Sequence, residues 1–447
     1  MALNRGVLTR LPGESRPLVE PGSAGIGIVH FGLGAFFRAH SAVYTEEAMV
    51  ASGGEWGIVG VAPRTPDVVA RLTEQDLAFS VTSASGAGTH TRVVGALSGV
   101  RLATADPDAV VALLADPAIR VVTLTITEKG YAGPVPALLA RGLAARERAG
   151  TGSITLVSCD NLPSNGHRLR AAVERHGEFA DVAYPSTMVD RIVPAPTAES
   201  LATAAAALGV RDEAAVLAEP YRQWVIEDTF PGGRPAWERA GAVLTGDVGS
   251  WERLKLRTLN GVHSALAYLG ALAGRETIAS ALTIPGLADV LRQMIAVDVA
   301  PSLTPPPGVS VVEYGASVLE RFANPVIAHS TLQVAMDGSQ KLPQRVLHTM
   351  LDRRAAGGSP HWAALVVAAW MRFVQGTADD GRALPLDDPL ASDIRAALAS
   401  GVDGLLGLEA VFPPAFVGDD VLRKLVADWY VALEKHGVAR TLAGTLP

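Results

Sequence analysis

The chain has 447 residues, of which 49% are hydrophobic and 19% are charged, and its formal net charge at pH 7 is −7. This length exceeds what one hydrophobic core usually supports, so we expect two domains. Because no basic cluster offsets the negative charge, we expect no nucleic-acid partner and no binding to an anionic membrane, which leaves small soluble substrates.

The single cysteine, Cys159, rules out an intramolecular disulfide framework. No His/Cys spacing typical of a structural zinc site is present, so we expect no bound metal. Residues 1–19 lack the continuous apolar segment of a secretion signal, and no apolar run is long enough to span a bilayer. We therefore expect a cytoplasmic protein.

The first predicted strand, residues 25–30 (GIGIVH), ends at the turn Gly32-Leu33-Gly34, and a predicted helix, FFRAHSAVYTEEAM, follows. A strand, a glycine turn and a helix start suit a dinucleotide pyrophosphate, because glycine lets the backbone approach and the first helical N–H groups face the phosphate. Phe37 stands where the third glycine of G-x-G-x-x-G would be. On its own, the fingerprint therefore also fits a tight turn without a ligand.

The next predicted strand covers residues 56–61 and leads into VAPRTPD, where a ribose-binding Asp or Glu would be expected. Arg64 stands there instead. It either accepts the 2′-phosphate of NADP or is an ordinary solvated charge. Two β-rich runs within residues 78–97 then predict a hairpin.

Two later strands end in polar residues that are candidates for ligand contacts. The strand in RVVTLTITEKGY brings Thr125, Thr127 and Glu128 to its end, either as contacts to the nicotinamide half of a cofactor or as a plain polar strand end. The strand SITLVSC delivers Asp160 and Asn161 at its carboxyl end. Ligands collect at this edge in doubly wound sheets.

From residue 237 onward the pattern is predominantly helical. Periodic segments separated by Gly/Pro loops lie at 250–270, 276–297, 310–322, 341–356, 361–375, 389–400 and 420–436. The sequence thus predicts an α/β protein with an N-terminal Rossmann-type doubly wound sheet domain, residues 1–245, and a mainly α-helical C-terminal domain, residues 246–447. We expect the second domain to cover the cofactor edge of the first and bury the substrate.

The segment 250–270 (SWERLKLRTLNGVHSALAYLG) has apolar residues at helical spacing, with Lys255, Asn260 and His263 set between them. At about 100° per residue, these three fall within an arc of roughly 140° and about 12 Å of helix axis. An amine, an amide and an imidazole can therefore converge on one small polar cavity. A core helix with a solvated lysine and a capped asparagine fits the same pattern.

K-x4-N-x2-H in this setting resembles the signature helix of the polyol-specific long-chain dehydrogenases, the mannitol dehydrogenase and fructuronate (mannonate) reductase family. Further blocks match that family in order: GIVHFGLGAFFRAH at 27–40, TLTITEKGY at 123–131, SCDNLPSNG at 158–166, MVDRIVP at 188–194, QWVIEDTFPGGRPAWE at 223–238 and RFANPVIAHSTLQVAMDGSQKLPQR at 321–345. The resemblance covers most of the chain. It implies an oxidoreductase of open-chain polyols or sugar acids.

The resemblance favours NAD as the cofactor, since most of the family uses it, and Arg64 leaves NADP open. The family is similar at the glycine turn, where G-x-G-x-F matches Gly32, Gly34 and Phe36, and Phe37 follows directly. Thr127 and Glu128 complete the expected cofactor contacts. A monomer is plausible, because each chain holds both halves of its expected site.

Oxidising a secondary alcohol requires a base for the hydroxyl proton and donors for the alkoxide. With no zinc ligands apparent, we expect Lys255 to be the base, its pKa lowered by burial beside the cationic nicotinamide. By resemblance Asn161 contacts the substrate oxygen, although an Asx turn is the structural alternative. Asn260 donates a second hydrogen bond, and His263 orients the substrate. Glu252 either helps proton exchange or forms an i, i+3 ion pair.

Three further residues bear on the substrate. Asp190 is expected near the cleft, as a substrate contact or in a structural ion pair. Lys341 and Arg345 suit a substrate carboxylate or merely occupy a helix start. The block DGSQKLPQR resembles the fructuronate reductase side of the family. It favours D-mannonate and D-fructuronate as the substrate pair. D-Mannitol and D-fructose, or another polyol such as arabinitol, are the alternative substrates. A non-catalytic protein that binds a dinucleotide as a sensor is the alternative from a different class of function.

Overall fold

The computed structural model describes residues 1–327 and 329–444. The chain divides into two compact units between Gly249 and Ser250. The sequence predicts a boundary after residue 245. Each unit is described separately below.

The strands lie in the first unit. Their bounds are β1 Ile26–Phe31, β2 Gly57–Ala62, β3 Phe79–Ser85, β4 Gly88–Val94, β5 Leu97–Leu102, β6 Val121–Leu124, β7 Ile154–Ser158, β8 Val182–Ala183, β9 Thr187–Asp190, β10 Val216–Ala218, β11 Gln223–Glu227 and β12 Val243–Thr245. The helices that accompany them are α1 Ala35–Ala39, α2 Ser41–Ser52, α3 Pro66–Glu74, α4 Pro107–Leu114, α5 Thr127–Gly130, α6 Val135–Ala149, α7 Asn165–Glu174 and α8 Ala198–Leu208.

The main sheet of this unit has six strands in the order β5-β2-β1-β6-β7-β8. Every neighbouring pair is parallel. Strands β2, β6 and β7 are buried throughout, which explains why they read as continuous apolar runs and not as alternating ones. The order reverses between β1 and β6, and this is the switch point at which doubly wound sheets bind ligands. The prediction of a Rossmann-type domain is confirmed.

Two three-stranded sheets flank the main one, in the orders β10-β3-β4 and β12-β11-β9. Strands β3 and β4 form the antiparallel hairpin predicted from residues 78–97. Strand β5, which the sequence did not separate from this hairpin, pairs with β2 and forms the edge of the main sheet.

The helix predicted after the glycine turn is broken into α1 and α2. His40 interrupts it with backbone angles of φ −121° and ψ −93°. Its side chain is fully buried and its Nε2 donates to the carbonyl oxygen of Gln223 at 2.9 Å. The helix that starts at the turn therefore has only five residues, so its dipole is weaker than the sequence implies.

The second unit is helical, which confirms the predicted class of the C-terminal domain. Its helices are α9 Val248–Lys255 (which begins just before the boundary), α10 Gly261–Leu272, α11 Ile278–Ala281, α12 Leu287–Gln293, α13 Val311–Phe322, α14 Thr331–Ala335, α15 Gly338–Leu342, α16 His348–Ala355, α17 His361–Phe373, α18 Ala391–Leu398, α19 Gly401–Leu406, α20 Pro414–Val417 and α21 Asp420–Ala443. Three π turns connect helices: Leu256–Asn260, Met294–Val299 and Pro343–Leu347. Helix α10 is buried along nearly its whole length and packs against α17.

Short 3-10 segments lie at Arg5–Arg10, Gly13–Ser15, Trp237–Ala240 and Ala300–Ser302. Among the described helices, none combines the length and the apolar character that crossing a membrane requires.

Two fully buried histidines of the first unit, His30 and His40, have a pKa of about 3, because burial disfavours the charged imidazole. In an unfolded chain both rings titrate near 6.5. Between these values the unfolded state binds more protons than the folded state. Stability therefore falls as the pH drops below about 6.5.

We expect the midpoint of urea unfolding to fall between pH 7 and pH 5, with each of these histidines contributing about 2 kcal/mol to the loss at pH 5. The variant His40→Leu removes one contribution, so its midpoint should depend less on pH than that of the wild type. Denaturation curves at both pH values measure this. Equal pH dependence in the two proteins would contradict the linkage.

Candidate active site

The glycine turn at the switch point follows β1 directly. Gly32 has φ +106°, and a Cβ added there would lie 2.1 Å from the carbonyl oxygen of Thr125. Its N–H donates to the carbonyl oxygen of Val61 at 2.9 Å. A Cβ added at Gly34 would meet no atom within 4 Å. Gly32 is thus required by the fold, whereas Gly34 leaves open space beside the backbone.

Phe37, which replaces the third glycine of the fingerprint, is fully buried. Its ring stacks on the imidazole of His30, with centroids 3.6 Å apart and planes 11° apart. The sequence groups Phe37 with the cofactor contacts. The structure instead places its ring in the core beneath the turn, so its contribution is packing.

The ends of β6 and β7 are joined by Asp160. Its Oδ1 accepts from the N–H of Thr127 at 2.8 Å, and its Oδ2 accepts from the Tyr131 hydroxyl at 3.0 Å. Burial raises the pKa of this carboxyl. Thr127 is exposed and has a positive φ of 62°. Glu128, also exposed, lies 3.5 Å from Arg168.

Asn161 follows Asp160 and is exposed within the first unit. The loop that carries it is fixed by Asn165, which is fully buried. The Asn165 amide donates to the carbonyl oxygens of Ser158 at 3.2 Å and Asp160 at 3.0 Å, and its oxygen accepts from the N–H of Thr187 at 2.8 Å. Asn165 is not among the residues predicted from the sequence, because an asparagine one residue before the end of SCDNLPSNG offers no signal beyond a helix start.

The other two candidates of the first unit lie in different surroundings. Asp190 is the last residue of β9 and is buried. Arg64 is exposed two residues after the end of β2, where a ribose-binding acid would be expected.

In the second unit, Lys255 directly precedes a π turn and Asn260 is the last residue of that turn, and both are buried. The N–H of Gly261 bonds to the carbonyl oxygen of Leu256, five residues back. In a straight α-helix, residues five apart would be turned by about 140° from each other. The wider π turn brings Lys255 and Asn260 closer to the same face. Such turns occur frequently at functional sites.

His263 lies one turn beyond, on α10. Its ring stacks on Phe322 at 4.7 Å and on His329 at 5.5 Å. Burial, reinforced by the neighbouring His329 and Arg345, holds the pKa of His263 well below its ordinary value, so the imidazole is neutral. Its Nε2 atom is buried and has no hydrogen-bond partner among the described residues.

His329 precedes α14, and its ring lies against His263. Stacking between residues 66 positions apart in the chain has no local sequence signal.

Lys341 and Arg345 have different environments. The Lys341 ammonium donates to the carbonyl oxygens of Val334, at 3.3 Å, and Met336. The Arg345 Nη1 donates to the Ser264 hydroxyl at 3.1 Å, next to His263 on α10. Burial lowers the pKa of both. The structure thus brings Arg345 to α10 and ties Lys341 to the end of α14.

Glu252 is half-buried on α9, one turn before Lys255. Within the described residues, no group of three or more His, Cys, Asp or Glu side chains is arranged to hold a metal ion.

Comparison with known proteins agrees with this division. Residues 26–239 match the family model of the mannitol dehydrogenase Rossmann domain, and residues 247–426 match that of the mannitol dehydrogenase C-terminal domain. The D-mannonate oxidoreductase of Escherichia coli K12 is 38% identical over 86% of this chain and 88% of its own length. The mannitol 2-dehydrogenase of Cereibacter sphaeroides is 36% identical over 84% and 86%.

Among solved structures, the mannitol 2-dehydrogenase of Pseudomonas fluorescens, in ternary complex with NAD and D-mannitol, superposes with a TM-score of 0.87. It is 34% identical, and the match covers 99% of each chain. Both units are therefore matched by sequence and by structure, and the chain belongs to the mannitol dehydrogenase family.

Proposed function

We propose that this protein is an NAD-dependent oxidoreductase that interconverts a secondary alcohol of an open-chain sugar acid and its ketone, with D-mannonate and D-fructuronate as the preferred pair. Membership of the family supports the reaction class. The D-mannonate oxidoreductase relative, 38% identical, supports this substrate pair. The observation that carries the choice of a sugar acid is the position of Arg345.

The glycine turn fits a dinucleotide. Among the described residues, neither the N–H of Leu33 nor that of Gly34 has a hydrogen-bond acceptor, and the space beside Gly34 is open. Free backbone N–H groups at a switch point suit a pyrophosphate. Arg64 is exposed and stands where a ribose-binding acidic residue would be expected, so NADP is kept as an alternative to NAD. Thr127 and Glu128 are proposed as further cofactor contacts.

We assign the chemistry to Lys255, Asn161, Asn260 and His263. A bound nicotinamide would supply the hydride acceptor for the carbon that carries the hydroxyl. Lys255 acts as the general base and removes the hydroxyl proton. Asn161 and Asn260 donate hydrogen bonds to the oxygen as negative charge develops on it. The neutral His263 orients the substrate through a neighbouring hydroxyl, and Asp190 is a further candidate contact.

Arg345 supports a carboxylate-bearing substrate because its charge is not neutralised within its unit. No carboxylate of the described residues lies within ion-pair distance of its guanidinium, which donates to the neutral Ser264 hydroxyl at 3.1 Å. Its positive charge also helps to lower the pKa of both His263 and Lys341, so it acts on both neighbouring side chains. Arginine binds carboxylates through two parallel hydrogen bonds. Lys341 is less suited to bind a substrate carboxylate, because its ammonium already donates to two carbonyl oxygens.

D-Mannitol and D-fructose are the second candidate pair. The Pseudomonas fluorescens enzyme, whose complex contains NAD and D-mannitol, supports them. A panel of D-mannonate, D-mannitol, arabinitol and mannitol 1-phosphate, each with NAD and with NADP and followed by nicotinamide absorbance, distinguishes these substrates. Higher kcat/KM with D-mannitol than with D-mannonate would overturn the sugar-acid assignment.

Replacing Lys255 with Ala should lower kcat by a factor on the order of 10² or more, because the base is lost. NAD affinity, measured by calorimetry, should stay close to that of the wild type. Lys424→Ala is the matched control, since Lys424 is exposed and pairs only with Asp428 on α21. Full activity in Lys255→Ala would rule out its role as the base.

The variant Arg345→Gln should raise KM for D-mannonate by about 10- to 100-fold, which corresponds to one charge-assisted hydrogen-bonded pair. Its kinetics with D-mannitol should change little, because a polyol presents no carboxylate. Lys341→Gln serves as the comparison and should preserve the preference for D-mannonate. An equal loss with both substrates in Arg345→Gln would show that the arginine only supports the fold of α10.

A further inference from the structure

His30 is the fifth residue of β1 and is fully buried just before the glycine turn. Its register partner on the neighbouring strand β6 is Thr123, on the other side of the switch point. A polar ring buried at this position must have its hydrogen bonds satisfied. Its two ring nitrogens contact groups on both sides of the switch point.

The contacts assign the tautomer of His30. Nε2 lies 2.9 Å from the carbonyl oxygen of Gly32, which can only accept, so Nε2 carries the hydrogen and donates. Nδ1 is then an acceptor and takes the hydroxyl hydrogen of Thr123 at 2.7 Å. Because the pKa of His30 is about 3, the ring keeps this neutral form throughout the physiological range.

The Gly32 carbonyl oxygen accepts a second hydrogen bond, from the Thr125 hydroxyl at 2.9 Å. Both of its lone pairs are thereby used. The peptide group between Gly32 and Leu33 is planar and trans, so its N–H points opposite to its C=O. Holding the carbonyl against His30 and Thr125 therefore turns the Leu33 N–H away from them.

The stack with Phe37 adds a second restraint on the ring. In the usual fingerprint the third glycine lets the helix pack closely on the strand. Here the aromatic ring of Phe37 lies flat on the imidazole, with centroids 3.6 Å apart. The residue that departs from the fingerprint is thus the one that fixes the orientation of His30.

We propose that His30 is a positioning residue for cofactor binding: it holds the Gly32 carbonyl inward and so keeps the Leu33 N–H presented to the pyrophosphate of the dinucleotide. This inference rests on the proposed NAD dependence. His30 does not contact the reacting atoms, so its loss acts on cofactor affinity and not on the chemical step. Thr123 orients the imidazole of His30 and therefore contributes to the same positioning role, more weakly.

The test is a calorimetric titration of NAD into the wild type, His30→Leu, His30→Gln and Thr123→Val. We expect His30→Leu to weaken NAD binding by about 10-fold or more, since the carbonyl loses a buried donor. In His30→Gln the side-chain amide can donate to Gly32 and accept from Thr123, so most of the affinity should return. At saturating NAD, kcat should stay within about 3-fold of the wild type in each variant.

The matched control is His40→Leu, which also removes a fully buried histidine with a low pKa but one that contacts Gln223 and not the turn. It should lose thermal stability while NAD affinity is unchanged. An equal loss of affinity in His40→Leu, or wild-type affinity in His30→Leu, would overturn the proposal. If His30→Leu does not fold, wild-type NAD affinity in Thr123→Val at wild-type stability would overturn it.

Failure of the proposed function would be visible separately. In that case the wild type itself would bind neither NAD nor NADP in the same titrations. If the wild type binds NAD and His30→Leu binds it equally well, only the positioning role of His30 is wrong.

Discussion

The orientation of one peptide group, that between Gly32 and Leu33, is the constraint on which the proposed cofactor site depends. Its N–H can face a phosphate only while its carbonyl is held in the core, and an exposed glycine turn has too much freedom to hold it alone. Here side chains from β1 and β6 restrain it through His30 and Thr125. The parallel pairing of these two strands at the switch point brings those side chains together.

An analogous restraint operates in the second unit, where a π turn sets the relation between Lys255 and Asn260. One wider turn changes the direction of every side chain that follows, so His263 owes its contact with Phe322 and His329 to the same backbone feature. In both units, then, an irregular backbone segment directs the polar groups, and the surrounding regular elements keep it in place.

Much of the architecture could be predicted from the sequence, because buried parallel strands and amphipathic helices leave strong periodic patterns. The family blocks also indicated Lys255, Asn260, His263 and Asn161 as candidates. The break at His40 and the π turn could not be predicted, since both depend on contacts between distant residues. Nor could the sequence separate Lys341 from Arg345, which lie four residues apart; tertiary packing alone gives them different neighbours.

The buried support of the glycine turn has a consequence for protein engineering. Arg64, which we propose as the residue that discriminates between the two dinucleotides, is exposed after the end of β2 and takes no part in the restraint of the turn. On this proposal, coenzyme preference and affinity for the shared pyrophosphate are separable properties of the protein. A library that varies the loop after β2 can change the coenzyme preference and leave the affinity for the pyrophosphate intact.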